Sequence, residues 1–164
     1  MIVVADSSPL VILAKIGRFD LLHTLFPRLF IPSEVHYEVV VAGAGLPGAS
    51  EVANADWIEV KKLQNQAQLS AARQKYALGV GELSTILLGK DLQANAVLLD
   101  DYNARKLARA EGLQVRGTVG LLEASYLRGH LTDLRVAFRE LQKYSYIEQR
   151  LLDLRLRAFG LPPL

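Results

Sequence analysis

Val97-Leu98-Leu99-Asp100-Asp101-Tyr102-Asn103-Ala104-Arg105 is the stretch that decides the fold. Three apolar residues run into two adjacent carboxylates, and a segment of helical character, residues 103–111, follows. This reads as a buried strand that ends in acid at a strand-to-helix turn. The N-terminus repeats the design, with Ile2-Val3-Val4-Ala5 leading into Asp6-Ser7-Ser8-Pro9. In an open parallel sheet all strands point one way, and ligands bind beyond their carboxyl ends. Asp6 and the Asp100/Asp101 pair then fall on one edge. Carboxylates brought together repel, so a cation or a proton has to compensate them. Oxygen-only donor sets suit magnesium or manganese.

Working outward, strands are expected at residues 2–5, 29–31, 57–60, 97–99 and 113–115. Ser8 is placed to cap a first helix, with Pro9 at its first position and Gly17 at its end. Further helices are expected at 19–25, at 34–41 with Ser33 as cap and Gly43 as stop, and at 66–78 and 82–92. Others follow at 103–111, 118–127, 131–143 and 147–159. Residues 43–50, Gly-Ala-Gly-Leu-Pro-Gly-Ala-Ser, read as a loop. They lack the Gly-Lys-Ser/Thr ending of a phosphate-binding loop. Strands alternating with helices predict an α/β fold with a central parallel sheet. The last two helices read as a layer added to the same unit.

Composition narrows the classes. A chain of 164 residues, 51% hydrophobic and 22% charged, has enough apolar material for one packed domain. It has no cysteine, which removes disulfides, thiolate metal sites and cysteine nucleophiles. Residues 1–6 lack a basic region ahead of their apolar run, so no secretory leader is expected. No apolar run approaches the roughly 20 residues of a membrane span, and a cytoplasmic setting without membrane contact is the expectation. A net charge of +2 does not by itself argue for nucleic acid.

Four acidic positions remain: Asp6, Glu38, Glu82 and the Asp100/Asp101 pair. Taken singly, each has a plain structural reading. Asp6 and Asp101 read equally well as helix caps, Glu82 as an acid favoured by a helix N-terminus, and Glu38 as a solvated helix residue. Glu34 reads as a surface residue near a helix start. Side chains alternate across a strand, so only one of Asp100 and Asp101 is expected to face a pocket directly.

Taken together, several stretches resemble PIN-domain proteins, in the compact branch related to the toxin subunits of VapC-type toxin–antitoxin pairs. They are residues 3–10 (Val-Val-Ala-Asp-Ser-Ser-Pro-Leu), Ile31-Pro32-Ser33-Glu34-Val35 with Glu38, and Gly81-Glu82-Leu83-Ser84. Residues 98–105 and Gly117-Thr118-Val119-Gly120 complete the set. The resemblance implies a single PIN-like α/β domain and a metal-dependent endoribonuclease using Mg2+ or Mn2+. It maps the family's acids onto Asp6, Glu38, Glu82 and Asp101, with Asp100 as the competing choice for the fourth. Metal ligands are then Asp6, Glu82 and Asp100 or Asp101. The hydroxyl that follows the first strand maps onto Ser7 or Ser8. Many relatives carry Thr-x-Asp after the central strand, where this chain has Leu99-Asp100-Asp101. The chemistry implied is hydrolysis of RNA by a metal-activated water. The partner implied is an antitoxin peptide or protein that neutralises a toxin subunit.

Other residues carry weaker expectations. Arg105, one helical turn after Asp101, reads first as a structural partner of the acids and second as a phosphate contact. Thr118 reads first as a cap. Arg139, Lys143 and Arg150 make the C-terminal helices basic, as a solvated face or as an RNA backbone track. Ile147, Leu151 and Leu154 form one apolar stripe on the last helix, and Leu152, Leu156 and Phe159 a second, which suggests a homodimer or partner surface. The rival functions are a nucleic-acid-binding or protein-interaction module on the same fold, and a metal-dependent phosphatase.

Overall fold

The computed structural model describes all 164 residues. Five strands form one sheet: β1 (Val3–Ala5), β2 (Leu29–Pro32), β3 (Ile58–Lys61), β4 (Ala96–Leu98) and β5 (Val115–Arg116). All pair in parallel, in the order β3-β2-β1-β4-β5. Helices α1 (Ser7–Lys15) and α2 (Asp20–Leu25) connect β1 to β2. Helix α3 (Ser33–His36) continues as a π-helical turn (Tyr37–Ala42) and is followed by α4 (Ala49–Asn54) before β3. Helices α5 (Gln66–Lys75) and α6 (Val80–Asp91) lead to β4, and α7 (Tyr102–Ala110) leads to β5. The chain ends with α8 (Thr118–Leu127), α9 (Leu134–Tyr144) and α10 (Gln149–Ala158).

Strand alternation explains the layers. Val3 and Ala5, Leu29 and Ile31, and Ala96 and Leu98 face one hydrophobic core, shared with α1, α2, α8, α9 and α10. Val4, Phe30, Val97 and Leu99 face the other, shared with α5, α6 and α7. Both faces are covered, which is why these strands read as continuous apolar runs rather than as alternation. The last two helices join the first core through Leu134, Phe138, Leu141, Leu152 and Leu156.

Several boundaries differ from the sequence reading. Helix α4 lies partly within the expected 43–50 loop and runs on past it. It opens after Gly48, whose φ of 98° only glycine adopts readily. The expected 34–41 helix is a single α turn followed by the π turn. Ser33 caps nothing there; its hydroxyl donates to the Lys61 carbonyl instead. Helix α1 begins at Ser7 with Asp6 in the capping position, so Ser8 and Pro9 lie inside its first turn.

The strand order places the site. From β1 the chain winds outward through β2 and β3, then returns to β4 on β1's other side and continues to β5. The winding reverses between β1 and β4, and the crevice beyond their carboxyl ends is where such sheets bind ligands. The Asp6 amide donates to the Leu98 carbonyl at 3.1 Å, tying the end of β1 to the end of β4.

Candidate active site

An open groove of about 1990 Å³ lies at that crevice. Asp6, Glu34, Glu38, Glu82, Asp100 and Asp101 all line it. The four acids singled out in the sequence are thus brought together, and with them Glu34.

Asp6 stands in the capping position of α1 without capping it. Its side chain is buried, and the pKa is pushed up to about 7. Desolvation is the main cause. The nearby Ser7 amide opposes it, and Glu82, Glu38 and Asp100 add repulsion. Glu38 sits on the π turn, and its Oε2 accepts from the Ser7 hydroxyl at 2.9 Å. Local π-helical turns are frequent at functional sites.

Gly81 explains how these groups approach. A Cβ at Gly81 would stand 2.6 Å from Glu38 Oε2, 3.0 Å from Asp6 Oδ1 and 3.5 Å from the Ser7 Oγ. Three polar atoms, two from the junction of β1 with α1 and one from the π turn, therefore converge on a space that only glycine leaves open. The next residue, Glu82, turns one oxygen to the amide of Gly79 at 3.0 Å, closing the first turn of α6. Its other oxygen is buried and meets no donor. Burial raises the pKa of Glu82, and the neighbouring Asp101 and Glu38 add to the rise.

The two adjacent aspartates divide their tasks. Asp100 Oδ1 accepts from the Thr118 amide at 2.7 Å. Its Oδ2 accepts from the hydroxyls of Thr118 at 2.7 Å and Ser8 at 3.0 Å. Asp101 Oδ2 caps α7 by accepting from the Ala104 amide at 2.9 Å, and the Asp101 carboxylate lies beside that of Glu82. The expectation that only one of the pair faces the pocket is corrected: both line it. Strand β4 ends at Leu98, so strict alternation lapses at the two aspartates.

Three further readings are corrected. Thr118 does not cap α8 with its side chain; it donates twice to Asp100. Glu34 is not simply a surface residue, since it lines the groove with Oε1 buried and unpartnered. Its spacing of four from Glu38 was the signal available in the sequence. Arg105 does not pair with the acids; its Nη1 donates to the Leu99 carbonyl at 2.9 Å. Arg139, Lys143 and Arg150 are exposed on or beside the last helices and lie outside the groove. The basic residues that line it are Arg105, Arg116, Arg128 and Arg155.

No three acidic or histidine side chains stand in metal-holding geometry. The donor chemistry nevertheless fits a hard divalent cation. Every candidate ligand is a carboxylate. Glu82 has a buried oxygen with no donor, and Asp6 carries a strongly raised pKa among other acids.

A family profile described as PIN domain matches residues 2–160. The chain belongs to the PIN-domain family. Among curated proteins none is similar enough to match. Among solved structures, the chain is similar to a PilT N-terminus domain protein, SSO1118, from the hyperthermophilic archaeon Sulfolobus solfataricus P2. The TM-score is 0.51 at 15% identity, over 76% of this chain and 93% of that one. At that identity the likeness concerns the fold alone. The PIN fold is generally a nuclease fold that works with divalent metal ions, and nucleic acid is the substrate class it suggests. No helix of this PIN domain is long and apolar enough to cross a membrane.

Proposed function

We propose that this protein is a Mg2+- or Mn2+-dependent endoribonuclease that serves as the toxin subunit of a toxin–antitoxin pair. The observation that carries the reading is the convergence of Asp6 and Glu38 on Gly81, beside Glu82 and Asp101. Asp6, Glu82 and Asp101 would hold the cation, with Glu38 completing the acidic set. A divalent cation bound there neutralises phosphate charge and acidifies a water. Asp100 has both oxygens engaged by donors, so its role is to fasten α1 and α8 around the site. Ser7 orients Glu38, and Ser8 and Thr118 orient Asp100.

Single-stranded RNA suits the rim of the groove. Tyr37, Tyr144 and Tyr146 line it with exposed rings on which unpaired bases can stack. An antitoxin peptide suits the same edge. On α10, Leu152 and Leu156 are buried in the core, whereas Leu151 and Leu154 remain exposed, as does Leu127 on α8. That apolar strip beside an acidic groove fits a basic, amphipathic segment. A second copy of the chain is the other occupant the strip would fit, and the mass of the purified protein in solution distinguishes the two.

The test is cleavage of a mixed structured RNA by purified protein in magnesium, manganese or chelator, beside D6N and E82Q. Metal-dependent cutting is expected, reduced at least about 100-fold in both variants, given the several kcal/mol that metal catalysis supplies. Full activity of folded D6N in metal would sink the site assignment. Tight RNA binding with no cleavage in any metal would move the reading to a binding module.

A further inference from the structure

Arg105 lies on α7, one turn beyond Asp101, and lines the groove. It is partly buried, and one N–H is spent on the Leu99 carbonyl. No carboxylate oxygen lies within 4.0 Å of its guanidinium, unlike the arginines that form ion pairs elsewhere on the molecule. Gly117 makes room for it. A Cβ there would stand 2.5 Å from Arg105 Nη1 and 3.1 Å from Asp100 Oδ1. The sequence therefore keeps a partly buried cation beside an acidic centre, without a direct ion pair to it.

A guanidinium offers five N–H donors in a fixed plane. Here most of them are unspent, and they border an open groove. Fastening the turn through the Leu99 carbonyl needs only one donor and no charge. A planar donor fork with no ion-pair partner matches the two oxygens of a phosphate. We infer that Arg105 is a substrate-contact residue that binds a backbone phosphate of single-stranded RNA next to the acidic centre. Arg105 thereby fixes the register of the strand relative to Asp6, Glu82 and Asp101. This rests on the nuclease reading above.

The experiment measures binding of a fluorescein-labelled single-stranded RNA oligonucleotide by anisotropy, in chelator so that no turnover occurs, across a salt series. Wild type is compared with R105Q, which removes the charge and the fork but keeps a polar amide, and with R105K, which keeps the charge without the fork. Loss of one phosphate contact predicts roughly tenfold weaker binding by R105Q and a salt slope shallower by about 0.7. Its melting temperature and Mn2+ affinity are expected to match wild type, and in cleavage its KM rises more than its kcat falls. R105K is expected to keep the slope with severalfold weaker binding. R105Q with wild-type affinity and slope overturns the assignment. Should R105Q fail to fold, R105K binding as tightly as wild type overturns it instead. Wild type that binds but never cleaves refutes the nuclease reading while the slope still judges Arg105. Wild type that neither binds nor cleaves refutes both.

Discussion

Gly81 has no side chain, and two carboxylates use the space it leaves. The positions of Glu38 Oε2 and Asp6 Oδ1 relative to that space make Gly81→Ala a sharp probe. The obstructing atoms are ends of side chains rather than backbone, so the protein is expected to fold, with Glu38 pushed aside. Mn2+ affinity measured by calorimetry should fall about tenfold or more, because the added methyl also crowds Asp6 Oδ1, and misplacing a ligand by even 1 Å is costly to a preorganised site. Unchanged affinity would show that Glu38 and Asp6 do not act on a common ion. At this scale Asp6, Glu82 and Asp101 stood out as candidates, because acids that follow apolar runs or open helices announce themselves, whereas Glu38, alone a solvated helix residue, gained its role only through the family resemblance. What the sequence hid was their division of labour. Nothing in Asp100-Asp101 says which aspartate meets three donors and which lies beside Glu82, since that depends on Ser8 and Thr118 arriving from helices distant in sequence. Arg105 was misread for a related reason. Helical spacing put it near Asp101, but the free carbonyl of Leu99 lay closer.

Elements hold those residues in place, and the C-terminal layer does so through one pair. Glu123 on α8 is buried, and Arg155 on α10 grips it with two bonds of 2.6 and 2.5 Å. Arg155→Ala leaves that carboxylate buried and alone. The arginine is half-exposed, which tempers the loss to about 1–3 kcal/mol in chemical denaturation. Adding Glu123→Gln should recover part of it. Lys90→Ala, which breaks the exposed pair with Glu111, should cost under about 0.5 kcal/mol. Equal costs for the two pairs would mean that α10 is not fastened through Glu123. Element types were largely readable from apolar spacing, and boundaries were not. The π turn at Tyr37–Ala42 leaves no distinct period in the sequence. Helix α4 has only six residues behind a glycine-rich stretch, too short for its pattern to outweigh that composition. On α10 the two apolar stripes were visible, but only packing decides that Leu152 and Leu156 go inward.

The whole molecule bears the cost of gathering acids at its topological switch. Strand order and the bond from the Asp6 amide to Leu98 fix Asp6 beside β4, whatever its charge. Its carboxyl is raised from 3.8 to about 7, and Glu82 is raised as well, both chiefly by burial. The folded state therefore binds protons more tightly than the unfolded chain, so stability falls as pH rises. The contribution of Asp6 is fully present below pH 3.8 and is lost as pH climbs to about 7. At roughly 1.4 kcal/mol per pH unit the Asp6 effect is on the order of 4 kcal/mol at most. Metal-free protein is thus expected to melt several degrees higher at pH 5.5 than at pH 8, against the usual trend for proteins whose carboxylates are ion-paired. Mg2+ or Mn2+ favours the ionised acids, so its stabilisation should be larger at pH 8, following the logarithm of free ion over Kd. Asp6→Asn removes the largest titrating group. It should flatten the slope, raise the metal-free melting temperature at pH 8, and abolish most of the metal's effect. Melting curves of wild type and D6N at both pH values, with and without metal, check all three together. A wild type whose stability rises steadily from pH 5.5 to 8 without metal would show that the acids are not held together in solution as the fold places them.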